Sequence, residues 1–543
     1  MEIFEVVVAL LLGGAALAAV ARRVGAPYPA LVALAGAALA LIPGVPTLVL
    51  DPELALALFV APVLVDAAFD ASPRDLRANW RQVASLALGA VALTIVVVAV
   101  VARLLVPDLP WAAAVALGAI VAPPDAAAAT TVLKQLRPPH RLLVILEGES
   151  LFNDASALLV YRIAVGATVT GFLSGWSVLP TLLGVTLGSV VLGLVLAPPT
   201  LALTARINDV ATAVVFQFCS TFGVWMLAER LHLSGIITMV VFAMVAARRA
   251  PEVMPARIRI PSWGVWEVAV FVLNVLAFIL VGFQLKSIAA RATGAVGAHY
   301  VAVAAAVCVS VILARIAWVT GAAALSRWRC RPRKDGTPAP RDAVGLTAGG
   351  AAVVGWCGMR GTVTLAAALA LPTGSDGSVP FPYRDLILVT AFGVVLGTLV
   401  LQGLTLRPLL LRLRLQDDGS VEREVRLARV EALRAGLAAT EAYPGAETAA
   451  LVRQSYALQL RLAEEELTKG GVDATLETPA AVPSDGDALV VHAATGAQRR
   501  RLVALRADGT IGDAAFQLLE AELDWAELGW AQVLPPEHRV RRL

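Results

Sequence analysis

Glu147-Gly148-Glu149-Ser150-Leu151-Phe152-Asn153-Asp154 decides how this chain is read. It follows the apolar run Leu142-Leu-Val-Ile-Leu146 and leads into Ala155-Ser-Ala-Leu-Leu-Val160. A carboxylate at membrane depth costs about 3 kcal/mol on insertion scales, and the residues that persist there usually handle an ion or a proton. Helical spacing sorts the stretch. Glu147, Ser150 and Asp154 fall near one face, at offsets of three and four, while Glu149 and Asn153 share a neighbouring face. Asp154 with Ser150 can therefore line one cavity while Glu149 meets a different helix. The competing reading puts Glu147 and Glu149 at the water interface. It suits Asp154 poorly, because that residue lies well beyond Arg141 and precedes a further apolar stretch.

The rest of the chain supplies the membrane. Of 543 residues, 58% are hydrophobic and 16% charged, with a mean hydropathy of +0.76. Soluble domains carry roughly 25% charged residues. The formal net charge of +3 carries little information, because the basic residues are distributed by topology. Cys219, Cys308, Cys330 and Cys357 are scattered, and neither they nor the five histidines show a metal-ligand or disulfide spacing. No cofactor is expected. The start, Met1-Glu-Ile-Phe-Glu5, is acidic, so the first apolar run reads as a membrane helix rather than a secretory signal.

A spanning helix needs about 20 apolar residues. Thirteen stretches qualify: 3–21, 27–43, 53–71, 82–106, 111–133, 141–168, 178–203, 210–229, 233–248, 264–286, 299–325, 344–371 and 384–411. Basic residues test that count. Odd connections are basic, as at Arg22–Arg23, Arg74–Arg81, Lys134–Arg141, Arg248–Arg259 and Arg327–Arg341, and even ones are poor, with Arg230, Lys286 and Arg291 as exceptions. The alternation predicts an all-α polytopic membrane protein with its N-terminus outside and its C-terminus in the cytosol.

One span should be broken and another loosened. Ile120-Val-Ala122-Pro123-Pro124-Asp125 puts consecutive prolines inside an apolar run, which frees the carbonyls of Ala119 and Ile120. Irregular backbone at this depth is tolerated where it lines a cavity, and a carboxylate beside freed carbonyls is how secondary transporters build cation sites. A simple kink with Asp125 capping the second half-helix is compatible with that role. Gly355-Trp-Cys-Gly358-Met359-Arg360-Gly361-Thr362 places an arginine mid-span among glycines. An unpaired guanidinium there is costly, and Glu149 is the candidate partner. Asp66, Asp70, Glu267, Asn274 and Arg315 are weaker polar positions, interfacial or structural as readily as functional.

Beyond Leu415 the composition changes. Residues 1–415 read as the membrane domain and 416–543 as a cytosolic, largely helical tail with dense mixed charge. Gly470–Ala497 reads as a linker. A helical pair follows, with Asp508-Gly509 as its turn, Asp513 as its N-cap and an apolar face of Phe516, Leu519, Leu523 and Trp525.

Four strings together resemble one family. Gly148-Glu-Ser-Leu-Phe-Asn-Asp154 is similar to the signature of the NhaP-type and NHE-type sodium/proton exchangers, the first cation:proton antiporter family. Ala122-Pro-Pro-Asp125, Gly223–Ile236 and Gly358-Met-Arg-Gly-Thr362 resemble its helix break, its mid-protein helix pair and its arginine helix, in the same order. The resemblance implies a homodimer in the bacterial inner membrane, with inverted repeats and a core domain beside a dimerisation domain. It implies that Asp154, Asp125, Ser150 and Asn153 hold Na⁺ or a proton and that Arg360 pairs with Glu149. Asn153 before Asp154 implies electroneutral exchange, since a double Asp marks the electrogenic relatives. Two positions depart from the pattern: Pro124 replaces a threonine, leaving only a carbonyl as ligand, and Asp66 stands where the family has Glu.

The expected activity is thus secondary antiport of Na⁺ or Li⁺ against H⁺ for pH and sodium homeostasis, with K⁺/H⁺ antiport on the same scaffold as the alternative. A cation channel fits less well, since no filter loop repeats. A membrane enzyme fits poorly: Gly148-Glu-Ser150-Leu-Phe152 is not a nucleophile elbow, and that helix offers no base. Nothing points to nucleic acid.

Overall fold

The computed structural model describes residues 2–24, 27–40, 56–136, 138–170, 175–291, 294–329, 346–373, 380–415, 417–442, 447–469 and 485–533, and these form helices with no strand among them. The first helices are α1 (Glu2–Val24), α2 (Tyr28–Ala40), α3 (Ala61–Asp70, entered through a π-helical turn at Leu56–Val60) and the short α4 (Pro73–Ala78). Next come α5 (Trp80–Leu105), the half-helices α6 (Trp111–Val121) and α7 (Ala126–Leu136), and α8 (His140–Thr170). Then follow α9 (Gly175–Thr204), α10 (Val210–Arg230), α11 (Gly235–Val253), α12 (Ala256–Arg291) and α13 (Gly294–Arg329). The half-helices α14 (Ala348–Trp356) and α15 (Thr362–Leu369) and the long α16 (Arg384–Leu413) complete the apolar part.

Each of the thirteen apolar stretches therefore carries a helix, and the fifth and twelfth carry two half-helices apiece. Among the described residues, α5, α9, α10, α12, α13 and α16 are long and apolar enough to cross a membrane. Helix starts follow local capping chemistry. Ser72 accepts from the Asp75 amide ahead of Pro73, Asp209 accepts from the Thr212 amide at 2.8 Å, and Thr347 accepts from the Gly350 amide at 3.1 Å.

Lipid gives apolar helices little reason to associate, so close approach through small residues does the work. α6 buries Ala113, Ala114, Ala116 and Gly118 against α5 and α8. A Cβ on Gly118 would lie 2.7 Å from the Ile95 carbonyl oxygen, and one on Gly193 would lie 2.7 Å from that of Thr238. Two apolar cores result. The larger joins α2, α5, α6, α7, α12, α13 and α16. The smaller joins α3, α10 and α11. α8 sits on the seam: Ile145 and Ala157 belong to the first core and Leu151 to the second.

The tail folds into α17 (Ser420–Thr440), α18 (Glu447–Lys469), α19 (Asp485–Ala507) and α20 (Asp513–Val533). Ala428, Leu502, Leu505, Phe516 and Leu519 form its core. Three expectations change here. Residues 485–497, expected as linker, are helical: Val490, Val491 and Ala494 are buried, so tertiary packing overrides the weak local composition; residues 470–484 lie outside the described residues, as do Cys330 and the arginines of 331–341. Asp513 is the first helical residue and pairs with Arg506 at 3.0 Å rather than capping. Trp525 is 64% exposed and takes no part in the apolar face. The turn at Asp508-Gly509 is present, with Gly509 at φ +79°, the left-handed region that favours glycine.

Candidate ion site at two broken helices

The two breaks meet. The Asp125 amide donates to the Met359 carbonyl at 2.7 Å, joining the gap between α6 and α7 to the gap between α14 and α15. Gly361 leaves room for the Asp125 carboxylate, since a Cβ there would lie 1.8 Å from its oxygen and the side chain would have to shift. The Arg360 amide donates to Thr398 Oγ1 on α16 at 3.0 Å.

Arg360 is fully buried, and its partners are not the expected ones. Its Nε donates to the Val121 carbonyl at 3.0 Å, Nη2 to the Ala122 carbonyl at 3.1 Å, and Nη1 to the Gly358 carbonyl. The Val121 and Ala122 oxygens end the half-helix α6, where the peptide dipoles present negative charge, and Gly358 lies just beyond the end of α14. The guanidinium is therefore answered by carbonyls, and the ones engaged are Val121 and Ala122 rather than Ala119 and Ile120.

Glu149 belongs instead to Arg315. Two guanidinium nitrogens of Arg315 reach the Glu149 carboxylate at 2.5 and 2.8 Å, and its Nε donates to the Val354 carbonyl at 3.2 Å. Arg315 is 2% and Glu149 1% exposed. The expected Glu149–Arg360 pair is thus corrected: α13 presents Arg315 to the face of α8 that carries Glu149, and Arg360 is already satisfied at the helix ends. Gly358 separates the two arginines; a Cβ there would meet the Arg315 side chain at 2.5 Å and the Arg360 guanidinium at 2.9 Å.

Asn153, also wholly buried, donates through Nδ2 to the Pro124 carbonyl at 2.9 Å, tying α8 to the first break. Its Oδ1 has no hydrogen-bond partner among the described residues. Ser156, one turn on, donates to the Ala87 carbonyl at 2.7 Å and anchors α8 to α5. Asp154 is 8% exposed. Among the described residues its carboxylate makes no hydrogen bond and no ion pair, and Asp125 is the charged group that acts on it. Ser150 lies one turn before it on the same face, half-buried. Glu147 reaches the exposed Lys134 at 3.8 Å, the interfacial reading of that residue.

Asp66 lines a cavity whose wall includes none of Pro124, Asp125, Asp154 and Arg360. That cavity, of about 130 Å³, is also lined by Asp70, Thr221, Arg259, Ser262 and Trp266. Tyr28 relates the two regions: its hydroxyl feels the charges of both Asp125 and Asp66. Sequence reading missed Thr398, Tyr28 and the role of Arg315. Only Arg315 left a signal, a mid-span arginine subject to the same cost argument as Arg360.

Comparison with known proteins gives the family and the fold. An uncharacterized Na(+)/H(+) exchanger of Mycobacterium tuberculosis is 31% identical over 525 residues, covering 95% of this chain and 93% of that protein. A sodium, potassium, lithium and rubidium/H(+) antiporter of Bacillus pumilus is 30% identical over 423 residues, 76% of this chain and 61% of its own length. The structure of the sodium proton antiporter MjNhaP1 from Methanocaldococcus jannaschii superposes with a TM-score of 0.56 at 18% identity, covering 76% of this chain and 99% of that one, which is a likeness of fold. The family model for the transmembrane sodium/hydrogen exchanger matches residues 7–412. The chain belongs to the sodium/hydrogen exchanger family and is a cation/proton antiporter of the membrane.

Proposed function

We propose that this chain exchanges Na⁺ for H⁺ electroneutrally, by competition of the two at Asp154. The observation that carries the reading is a buried carboxylate with no hydrogen-bond or ion-pair partner among the described residues, five residues beyond a carboxylate that has a bidentate one. A carboxylate in a dry setting must be neutralised by something, and here only a mobile species is left to do it. Hard alkali cations prefer oxygen ligands. Asp154 with Ser150, the unpartnered Asn153 Oδ1 and Asp125 offers them, and the Pro124 carbonyl retains a second lone pair beside its bond from Asn153.

The coupling follows from charge. Asp154 loaded with a proton or a cation is neutral and can pass between facings. Empty, it would carry a bare charge through a low-dielectric path, at several kcal/mol. Arg360 and the Glu149–Arg315 pair hold the two breaks and α8 in place while the surroundings rock about the site. Asp66 and Asp70 draw cations into the cavity they line. The membrane domain of 1–415 works as a homodimer in the bacterial inner membrane with its tail in the cytosol; the basic odd connections support that orientation.

Transport of K⁺ and Li⁺ beside Na⁺ is the second reading, favoured by the broad cation range in the name of the Bacillus relative. Asp154→Asn in everted vesicles or proteoliposomes tests the whole proposal. The variant should insert normally and move no protons in response to Na⁺, Li⁺ or K⁺; normal exchange would refute the assignment of Asp154.

A further inference from the structure

The face of α8 turned away from Asp154 is held at three points. Glu149, Asn153 and Ser156 stand at offsets of four and seven, one stripe of a helix. Each is bonded to a different element. Glu149 meets Arg315 of α13, Asn153 Nδ2 donates to the Pro124 carbonyl at the first break, and Ser156 Oγ donates to the Ala87 carbonyl of α5 at 2.7 Å. The exchange proposed for Asp154 makes no use of the third.

The Ala87 carbonyl is open because α5 is not a regular helix there. Ser85–Ala90 forms a π-helical turn. Such a turn shifts its backbone bonds from i+4 to i+5, and it recurs at functional sites. It leaves carbonyls open to outside donors, and a buried carbonyl needs one. Two donors come from other helices. Ser156 answers Ala87, which is buried. Trp318 of α13 answers Ser85: its Nε1 donates to that carbonyl at 3.0 Å and lies 3.2 Å from Ser85 Oγ. Gly89 makes the seat for the indole, since a Cβ there would lie 2.1 Å from the ring. Trp318 is one turn beyond Arg315, so a single face of α13 grips both the π-turn and Glu149. The three helices close a triangle: α13 to α8 through Arg315, α13 to α5 through Trp318, and α5 to α8 through Ser156.

We propose that Ser156 is a positioning residue of the ion site, and that the π-turn of α5 is the seat that fixes the rotation of α8 and so the direction in which Asp154 faces. The proposal rests on the antiport reading above. Rotation matters because the candidate ligands come from separate elements: Asp154 and Ser150 from α8, Asp125 and the Pro124 carbonyl from the first break. Glu149 and Asn153 hold α8 before Asp154, and Ser156 holds it beyond. Without that third point the helix can turn past Asn153, and the Asp154 oxygens leave their register with Asp125. The competing reading is local. Ser156 Oγ also lies 2.9 Å from the Asn153 carbonyl, and a serine hydroxyl bonded there acts on its own helix alone. The hydroxyl has one proton to give, and its shorter contact is to Ala87.

The test measures Na⁺-driven and Li⁺-driven exchange by the full chain in proteoliposomes. Ser156→Ala should raise the apparent KM for Na⁺ about 10-fold and leave the maximal rate within about twofold of the parent. It should also change the ratio of the Li⁺ and Na⁺ KM values, because a displaced oxygen serves ions of different radius unequally. Ser156→Thr keeps the γ-hydroxyl and should restore both. Gly89→Ala alters no residue of α8 but unseats Trp318, and it should raise KM in the same sense. A hydroxyl that serves only its own helix predicts a parental KM and ion ratio in Ser156→Ala, with at most a lower unfolding temperature; that result overturns the positioning role. So does a KM that stays high in Ser156→Thr. Asp154→Asn separates the two levels. Exchange that survives it sinks the antiport reading and this proposal with it. Exchange that it abolishes, beside a parental KM in Ser156→Ala, overturns the positioning role alone.

Discussion

Glu149 and Asp154 lie on one helix, five residues apart, both buried, and they meet opposite fates. Glu149 is held by two nitrogens of Arg315. Asp154 has no hydrogen bond or ion pair among the described residues. A buried charge with a fixed partner is structural, and removing its partner costs far more than the pair contributes. A buried charge without one needs a mobile partner. On the reading proposed above, the exchanged charge falls to Asp154 and the scaffold to Glu149.

The comparison breaks first at Asp154. Asp154→Asn should lower cation-driven proton flux by at least about 100-fold, since the proposed exchange passes through that carboxylate, while its thermal unfolding in detergent stays near that of the parent. The reverse holds one turn earlier. Arg315→Met should destabilise the protein by about 3–5 kcal/mol, because it strands Glu149. Glu149→Met added to it should recover much of that loss. The readout is the unfolding temperature of the single and paired variants. A single variant as stable as the parent would show that Glu149 finds another partner.

Much of this contrast was legible in the residues alone. Pro123-Pro124 announced the first break, since proline cannot continue a helix ladder; the glycines around Arg360 pointed to a weakened helix at the second, and Asp154 stood out by the cost of its depth. The pairing was not legible. Arg315 is 166 residues from Glu149, and nothing local to either says which helix will face it. Arg360 was misassigned because a buried guanidinium was expected to need a carboxylate, whereas the end of the half-helix α6 supplies carbonyls and dipole together. The docking of Asp524 on Arg259 spans 265 residues and was invisible for the same reason.

Smaller perturbations sharpen the scaffold side. Gly118→Val should cost about 1–3 kcal/mol by overpacking α6 against the Ile95 carbonyl; proteolysis of the variant in lipid would report the loosened α5–α6 contact. His140→Ala should cost under about 1 kcal/mol. His140 lies 3.3 Å from Asp75 at the basic end of α8. Its hydrogen bond to Asp75 outweighs burial and raises it above the ordinary 6.5. Its contribution is thus fully present below that ordinary value and is lost as pH rises through the raised one. Unfolding temperatures of parent and variant should accordingly converge in alkali and separate in acid.

The central claim is that Asp154 holds a proton or a cation but never both. Calorimetric titration of the purified chain with Na⁺, in two buffers of different protonation enthalpy, measures the protons released per cation bound. The account predicts about one released per Na⁺ in the range where Asp154 starts protonated, and neither binding nor release in Asp154→Asn. Sodium bound at Asp154 with no proton leaving would contradict it.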